Sequence, residues 1–473
     1  MNPLDPFFDH ARAQPDAIAL SSPRTTLTFA QLADSVARFA SQFQAKGVRR
    51  GSVVGVALPA EADAVAILAI QMLGAVSLRI TEPIAKAYGD HIDMVVTDGL
   101  VRGAATKPTI TVDAAFFESL GTVRPLESPV AVDEGDLCRI VFSSGTTGTP
   151  KGVPFTAKYL VDRVDSATRN WIPAVPFMSL LGLDTVTGFQ TFIWAMRSGQ
   201  TFFITSDAAA NLAQIVNGRV AAIKTSPARL ADLVGVAGDA QTQLSVIEVA
   251  GSLLPASLAA VCERVFGVTP TYLYGSTEVG TVTRGTVDPA HPNMVGAVVG
   301  EIDAEIVDDN GTALPRGIEG LLRFRKPGMP AGYWNVSVPT GHSGFRDGWF
   351  YPGDYGQIDS DGRLWLAGRR DDLVNAGGAK FNLIELDRWL QDCGLFLDAA
   401  SFQFVDNRGA ESVGIAFVTK NAPEPEILTA RVREFLPDLQ FGALLRLNEI
   451  PRNQLGKVNR TLLTQKLNPS KGR

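Results

Sequence analysis

Residues Ser143 to Gly152 read SSGTTGTPKG and follow the apolar run Leu137 to Phe142. Gly145 and Gly148 let the backbone turn so that several amides can point inward. The hydroxyls of Ser143, Ser144, Thr146, Thr147 and Thr149 and the ammonium of Lys151 add donors for anionic oxygens, and Pro150 stiffens the exit. That donor set suits phosphate. It is not the GxxxxGK[ST] loop of mononucleotide kinases, because Gly152 stands where that loop needs a metal-binding hydroxyl. Read alone, the same residues also suit a polar surface turn.

Five later segments carry further chemistry. YLYGSTE, Tyr272 to Glu278, puts a carboxylate beside a hydroxyl on a glycine turn, a pair that can hold a hard cation against phosphate oxygens. WFYPGD ends on Asp354, whose ionised carboxylate can accept two hydroxyl donors in bonds worth roughly 1.5–3 kcal/mol each. GRRDD, Gly368 to Asp372, is a charged cluster between a hairpin and a helix, equally at home as a solvated loop. NAGGAKFNLIELD brings the pair Gly377–Gly378, where backbone can pass close to a thin ligand or simply turn. PRNQLGKVNR offers Lys457 after a glycine, a position more often a surface charge.

Taken together and in this order, the six segments resemble the adenylate-forming superfamily of acyl- and aryl-CoA synthetases, peptide-synthetase adenylation domains and luciferase. The resemblance covers nearly the whole chain and is nearest to an acyl-CoA synthetase. It implies that Tyr274 stacks on adenine, Thr277 contacts the α-phosphate, Glu278 helps hold Mg²⁺, and Asp354 and Arg369 reach the ribose. It further implies that residues 143–152 clamp the β,γ-phosphates, Asp371 is a pivot, Gly377 and Gly378 line a pantetheine tunnel, and Lys457 is the adenylation lysine. Phe177, Ser179, Gly251 and Ser276 are expected to border the acid.

Three departures bear on those expectations. Pro352 replaces a usual threonine beside Asp354, and Leu383 a common proline. PFMSLLG, Pro176 to Gly182, places Ser179 where many acyl-CoA ligases carry a histidine; serine can donate a hydrogen bond but carries no charge. Met178 follows Phe177 where amino-acid activators often have aspartate, which disfavours an α-amino acid.

To position these segments the chain needs an α/β frame. SVVGVALP, the helix-length Glu61 to Leu73 and AVSLRI form a strand, helix, strand unit, and apolar runs recur at Met94 to Thr97, Thr201 to Thr205 and Ser245 to Ala250. The pattern predicts doubly wound sheets. After about Pro292, turns at Asn310–Gly311 and Asp361–Gly362 predict an antiparallel, β-rich subdomain. Beyond Arg369, helices near Ile384 to Gln391 and Glu426 to Leu436 enclose the strands SFQFVD and SVGIAFVT, a small mobile α+β domain. The expected division is an ATP- and acid-binding part, 1–368, and a C-terminal part, 369–473, with the hinge near 368–372. The apolar residues Trp171, Phe177, Leu180, Leu183 and Phe189 suit an aliphatic or aryl pocket, or core.

The 473 residues exceed one compact core, and 43 basic against 49 acidic residues give a net charge of −6 without long runs, which disfavours nucleic acid. Cys138, Cys262 and Cys393 lack CxxC spacing, and His10, His91, His291 and His342 form no ligand pair. No signal peptide or membrane span is indicated, so a cytoplasmic setting is expected. The implied activity is two-step: carboxylic acid plus Mg-ATP gives an acyl-adenylate and pyrophosphate, and a thiol, first of all CoA, takes the acyl group. Loading of a carrier-protein phosphopantetheine, a catalytically inactive nucleotide-binding protein and, more distantly, a luciferase-like oxygenase are the competing expectations.

Overall fold

The computed structural model describes residues 2–99, 101–104, 106–143, 150–170, 175–335, 343–369, 373–376, 379–405, 411–419, 427–428, 430–432, 441–452 and 458–467. Two large sheets hold most of the strands. The first has six strands in the order Thr109–Thr111, Met94–Thr97, Val53–Ala57, Val76–Arg79, Leu137–Ser143, Lys151–Thr156, all parallel except the last pair. Its strands are short and rich in valine and isoleucine, as strands covered on both faces must be. The helix Ala60–Met72 is buried continuously from Asp63 to Met72. It has no polar face because it lies between this sheet and the amphipathic helix Phe29–Ala45. That outer helix presents Phe29, Leu32, Val36, Phe39, Ala40 and Phe43 to the core. Thr28 and Gln31 close its first turn as a capping box.

Asp63 is the exception within that apolar helix. It lies 3.6 Å from the Arg79 guanidinium with Arg139 nearby, yet burial outweighs both and pushes its carboxyl up to about 6. A carboxyl raised on folding stabilises fully below its unfolded value of about 4, and the contribution is lost as pH rises through about 6. Asp63→Asn, which cannot ionise, is therefore expected to gain about 1 kcal/mol on the wild type between about pH 5 and pH 7.5. Urea denaturation of both proteins at the two pH values measures this, and a pH-independent difference would overturn it.

The second sheet joins what the chain pattern separates. Phe177–Ser179, Ala222–Thr225, Val246–Ala250 and Thr271–Ser276 run parallel, and the chain then folds back at Gly280–Thr286 into antiparallel pairing. Met294–Val298, Arg363–Arg369, Asp354–Ile358, Gly320–Arg325, Trp349–Tyr351 and Gly344–Arg346 continue the same sheet to its far edge, and Asp303–Val307 pairs with Gly320–Arg325 off this path. The antiparallel region is thus hydrogen-bonded to the parallel one, making twelve strands in all among the described residues. Asp361–Gly362 is a hairpin turn as expected. Asn310–Gly311 starts a longer return, with a bridge from Val307 to Ala313 before the paired strand begins at Gly320.

Past residue 372 the strands Leu373–Ala376 and Ala379–Asn382 pair, and helix Leu383–Asp392 follows, capped by the Asn382 side chain. Strands Asp398–Val405 and Glu411–Val418 are antiparallel, and Phe441–Arg446 adds a parallel third strand absent from the expectation. Residues 427–428 and 430–432 are helical, with Leu428 and Val432 buried, and helix Arg460–Leu467 packs on the first of these strands. These elements have cores of their own around Leu386, Ile415 and Phe402. Against the large sheets they place Asn382, which donates to the Ala367 carbonyl at 2.6 Å, and Arg388, which donates to Asn293 at 2.6 Å.

Candidate active site

Two hairpin tips emerge at the C-terminal ends of parallel strands, where open α/β sheets leave their ligand crevice. The first joins Leu137–Ser143 to Lys151–Thr156, with Ser143 opposite Lys151 and the Ser143 hydroxyl donating to the Lys151 carbonyl at 3.3 Å. The phosphate-loop candidate therefore links strand to strand, whereas a P-loop opens a helix. Gly152 also has a packing reason: a Cβ there would lie 3.0 Å from Ile140 and 3.2 Å from Phe142. Ser144, Gly145, Thr146, Thr147 and Gly148 lie outside the described residues.

The second tip carries Thr277 and Glu278 between the paired Ser276 and Gly280. A Cβ on Gly275 would collide with the Gly280 carbonyl, so the close approach that forms this tip requires glycine. Arg163, itself buried, donates to the Thr277 carbonyl at 2.8 Å, and the buried Tyr159 hydroxyl donates to the Glu278 carbonyl at 2.8 Å. The Glu278 carboxylate accepts from the Tyr333 hydroxyl at 3.0 Å. Burial and the Glu278 charge push the Tyr333 phenol far up, so it stays a donor. The Lys151 ammonium, at the base of the first hairpin, lies 5.2 Å from the centre of the Tyr333 ring.

Beside the base of the first hairpin and the second tip runs a cavity of about 1740 Å³, lined by Ser143, Lys151, Gly251, Tyr274, Ser276, Thr277, Glu278, Pro352, Asp354 and Arg369. Asp354 is nearly buried and doubly held: the Tyr274 hydroxyl donates to Oδ2 at 2.5 Å and Arg369 Nε to Oδ1 at 2.9 Å. Burial, reinforced by the Asp354 charge, raises the Tyr274 phenol well above its ordinary value, so the proton remains on tyrosine. Asp354 lines the cavity, and each carboxylate oxygen keeps capacity to accept a further donor.

Two expected pocket residues are elsewhere. Phe177 is buried against Trp194, and Ser179 is fully buried with its hydroxyl bonded to the backbone of Leu181. All three residues of their strand, which ends the large sheet beside Ala222–Thr225, are covered, so they face core rather than the crevice. Leu180, Leu183 and Phe189 are likewise core, so the stripe is packing. The wall there is built instead by Leu181, Asp184, Thr185 and Gln190. Trp171, Asp371, Gly377, Gly378 and Lys457 lie outside the described residues; Gly377 and Gly378 fall between the paired Ala376 and Ala379.

Tyr159, Arg163 and Tyr333 are the functional neighbours that motif reading missed. Arg163 had no sequence signal beyond a charge on an amphipathic helix. Lys224 and Glu248 had one: each interrupts an apolar strand, AIKT and VIEVA, and both are buried. Groups of three or more His, Cys, Asp or Glu side chains suited to a metal are absent among the described residues. A lone carboxylate beside phosphate donors is instead the set Mg²⁺ accepts, since that ion keeps waters and takes one or two carboxylates plus substrate phosphate. Among the described residues no helix is long and apolar enough to cross a membrane.

A family model described as AMP-binding enzyme matches residues 7–334. The 2-succinylbenzoate–CoA ligase of Geobacillus kaustophilus is 27% identical, over 94% of this chain and 94% of its own. A fatty acid–[acyl-carrier-protein] ligase of Mycobacterium marinum is 26% identical, over 98% of this chain and 97% of its own. Among solved structures, the o-succinylbenzoate CoA synthetase of Bacillus subtilis in complex with its acyl-adenylate intermediate superposes with a TM-score of 0.85. It is 22% identical, with 98% of each chain covered.

Proposed function

The chain belongs to the AMP-binding enzyme family, and on that premise we propose that it is an AMP-forming acid–thiol ligase with CoA as its thiol. The observation that carries the proposal is the Asp354 carboxylate, fixed by Tyr274 and Arg369, in one cavity with the Thr277–Glu278 tip. A ribose held at one end and a phosphate tail at the other span that cavity.

Asp354 accepts the ribose hydroxyls while Tyr274, fixed by its bond to Asp354, stacks on the base. Thr277 donates to the α-phosphate, and the base of the first tip, Ser143 and Lys151, faces the β,γ-phosphates. Glu278 is the protein's own ligand for Mg²⁺, which when bound neutralises charge on the phosphate oxygens. An acid carboxylate oxygen attacks the α-phosphorus in line as the bond to pyrophosphate breaks, with Lys457 bridging the attacking and receiving oxygens. The mixed anhydride turns a poor leaving group, oxide, into AMP. A thiolate then attacks the acyl carbon, the carbon–oxygen bond to AMP breaks, and the thiol proton passes to solvent.

The C-terminal part, 369–473, would pivot at Asp371 between the two steps, exchanging Lys457 for the Gly377–Gly378 segment at the acyl carbon. Gly378→Trp is therefore expected to lower thioester formation with CoA about 10²-fold or more by blocking the thiol path, while acid-dependent pyrophosphate release persists in the first turnover. Unimpaired CoA turnover would remove the tunnel role.

Transfer to a carrier protein is the second reading, favoured by the carrier-protein ligases among the relatives. Thioester formation with purified CoA and with a phosphopantetheinylated carrier, assayed side by side, decides between them. Turnover with the carrier and none with CoA would refute the CoA assignment. Absence of acid-dependent pyrophosphate exchange across a broad panel would point to a nucleotide-binding protein without catalysis.

A further inference from the structure

Lys224 and Glu248 are register partners on neighbouring parallel strands, so their side chains share one face of the large sheet. The Lys224 ammonium lies 3.8 Å from Glu248 Oε2, and the Arg284 guanidinium, from the next strand but one, lies 2.7 Å from Glu248 Oε1. Glu248 has no exposure and Lys224 only 4%, while the Arg284 side chain keeps 31%. Lys224 and Arg284 line the cavity, and Glu248 sits behind them. Among the described residues both cations thus contact the Glu248 carboxylate, and both line the ligand space.

Of the acids lining the cavity near them, Asp232 lies on the helix Pro227–Ala237, and two others are engaged elsewhere. Glu301 is engaged by Lys326 at 2.8 Å and by the Ser166 hydroxyl at 2.6 Å. Asp184 lies in the field of the buried Arg139. Arg163 adds a further positive charge within reach of Lys224. Packing alone gives no reason for this arrangement, since apolar residues of similar volume usually serve stability as well as a buried ion cluster does. Glu248 has a physical role here, because burial and the neighbouring cations lower the pKa of the Lys224 ammonium and the Glu248 charge opposes that shift.

We propose that the acid activated by this chain carries a second anionic group, in the simplest case a second carboxylate. Lys224 and Arg284 hold that group while the reacting carboxylate faces Thr277. Arg284 supplies a planar donor fork suited to a carboxylate, and Lys224 a point charge. The inference rests on the acid-activating function proposed above and concerns which acids that site prefers.

The test compares acid-dependent pyrophosphate release for matched pairs, straight-chain monoacids against α,ω-diacids of four to eight carbons and benzoate against its carboxyl-substituted analogues. The wild type is expected to favour the best diacid over its matched monoacid at least tenfold in kcat/KM. Arg284→Met and Lys224→Met should each remove most of that preference through the diacid KM, and Arg284→Lys should restore part of it. Calorimetric ATP binding identifies any variant that has failed to fold, in which case the wild-type panel alone decides. A wild type that prefers monoacids, or variants that slow both members of a pair equally, would overturn the second-anion site while leaving acid activation standing. Pyrophosphate release with no acid at all would instead refute acid activation, and this proposal with it.

Discussion

Lys457→Ala is expected to lower acyl-adenylate formation about 10²–10³-fold, the range seen when one donor aimed at developing negative charge is removed. Thioester formation from supplied acyl-adenylate and CoA should stay within about twofold of the wild type. The asymmetry follows from charge. In the first step an anionic carboxylate approaches an anionic phosphate, and an ammonium between them offsets a repulsion that positioning alone does not. In the second step a thiolate attacks an acyl carbon and, on the proposed assignment, AMP departs with its ribose already held at Asp354 and its phosphate at Thr277. Pyrophosphate exchange measures the first step and direct thioester assay the second. Equal loss of both would mean that Lys457 supports the protein as a whole rather than adenylation.

The two tips were legible in the sequence because glycine beside hydroxyls marks a turn that bares backbone amides, and the strands before them are mainly apolar, broken in the first only by Arg139. What the tips connect was not. Leu137–Ser143 returns as a strand rather than a helix, because Lys151–Thr156 alternates residues in a way that only pairing with a particular neighbour makes sense of. The merging of the antiparallel strands with the parallel ones was illegible for the same reason. It depends on pairs such as Met294 with Trp365, distant in the chain. Phe177 and Ser179 show a further limit, since in a strand covered on both faces a short apolar run does not tell core from pocket. Lys224 and Glu248 show the reverse: a charge in the middle of such a strand is expensive to bury, and that expense was visible before any contact was known.

Asp354→Ala is expected to weaken ATP binding about 10²–10³-fold, because it removes two charge-assisted bonds to the ribose worth roughly 1.5–3 kcal/mol each, discounted for their non-additivity. The same substitution also frees Tyr274 and Arg369, so loss of affinity alone does not separate a ribose contact from a positioning role. Nucleotides that lack one hydroxyl make the distinction. If Asp354 accepts from the ribose, the wild type should bind 2′-deoxy-ATP about tenfold more weakly than ATP, since one such bond is missing. The Ala variant, having no acceptor, should bind the two nucleotides alike. Asp354→Asn should fall between them: its carbonyl can take one donor, while its amide opposes either the Tyr274 hydroxyl or the Arg369 guanidinium. A variant that still discriminates between ATP and the deoxynucleotide would show that another group reads the ribose. Asp354 would then serve only to hold Tyr274 and Arg369 in place, and the Tyr274 phenol, which stays protonated, would be the group whose orientation matters most for the adenine.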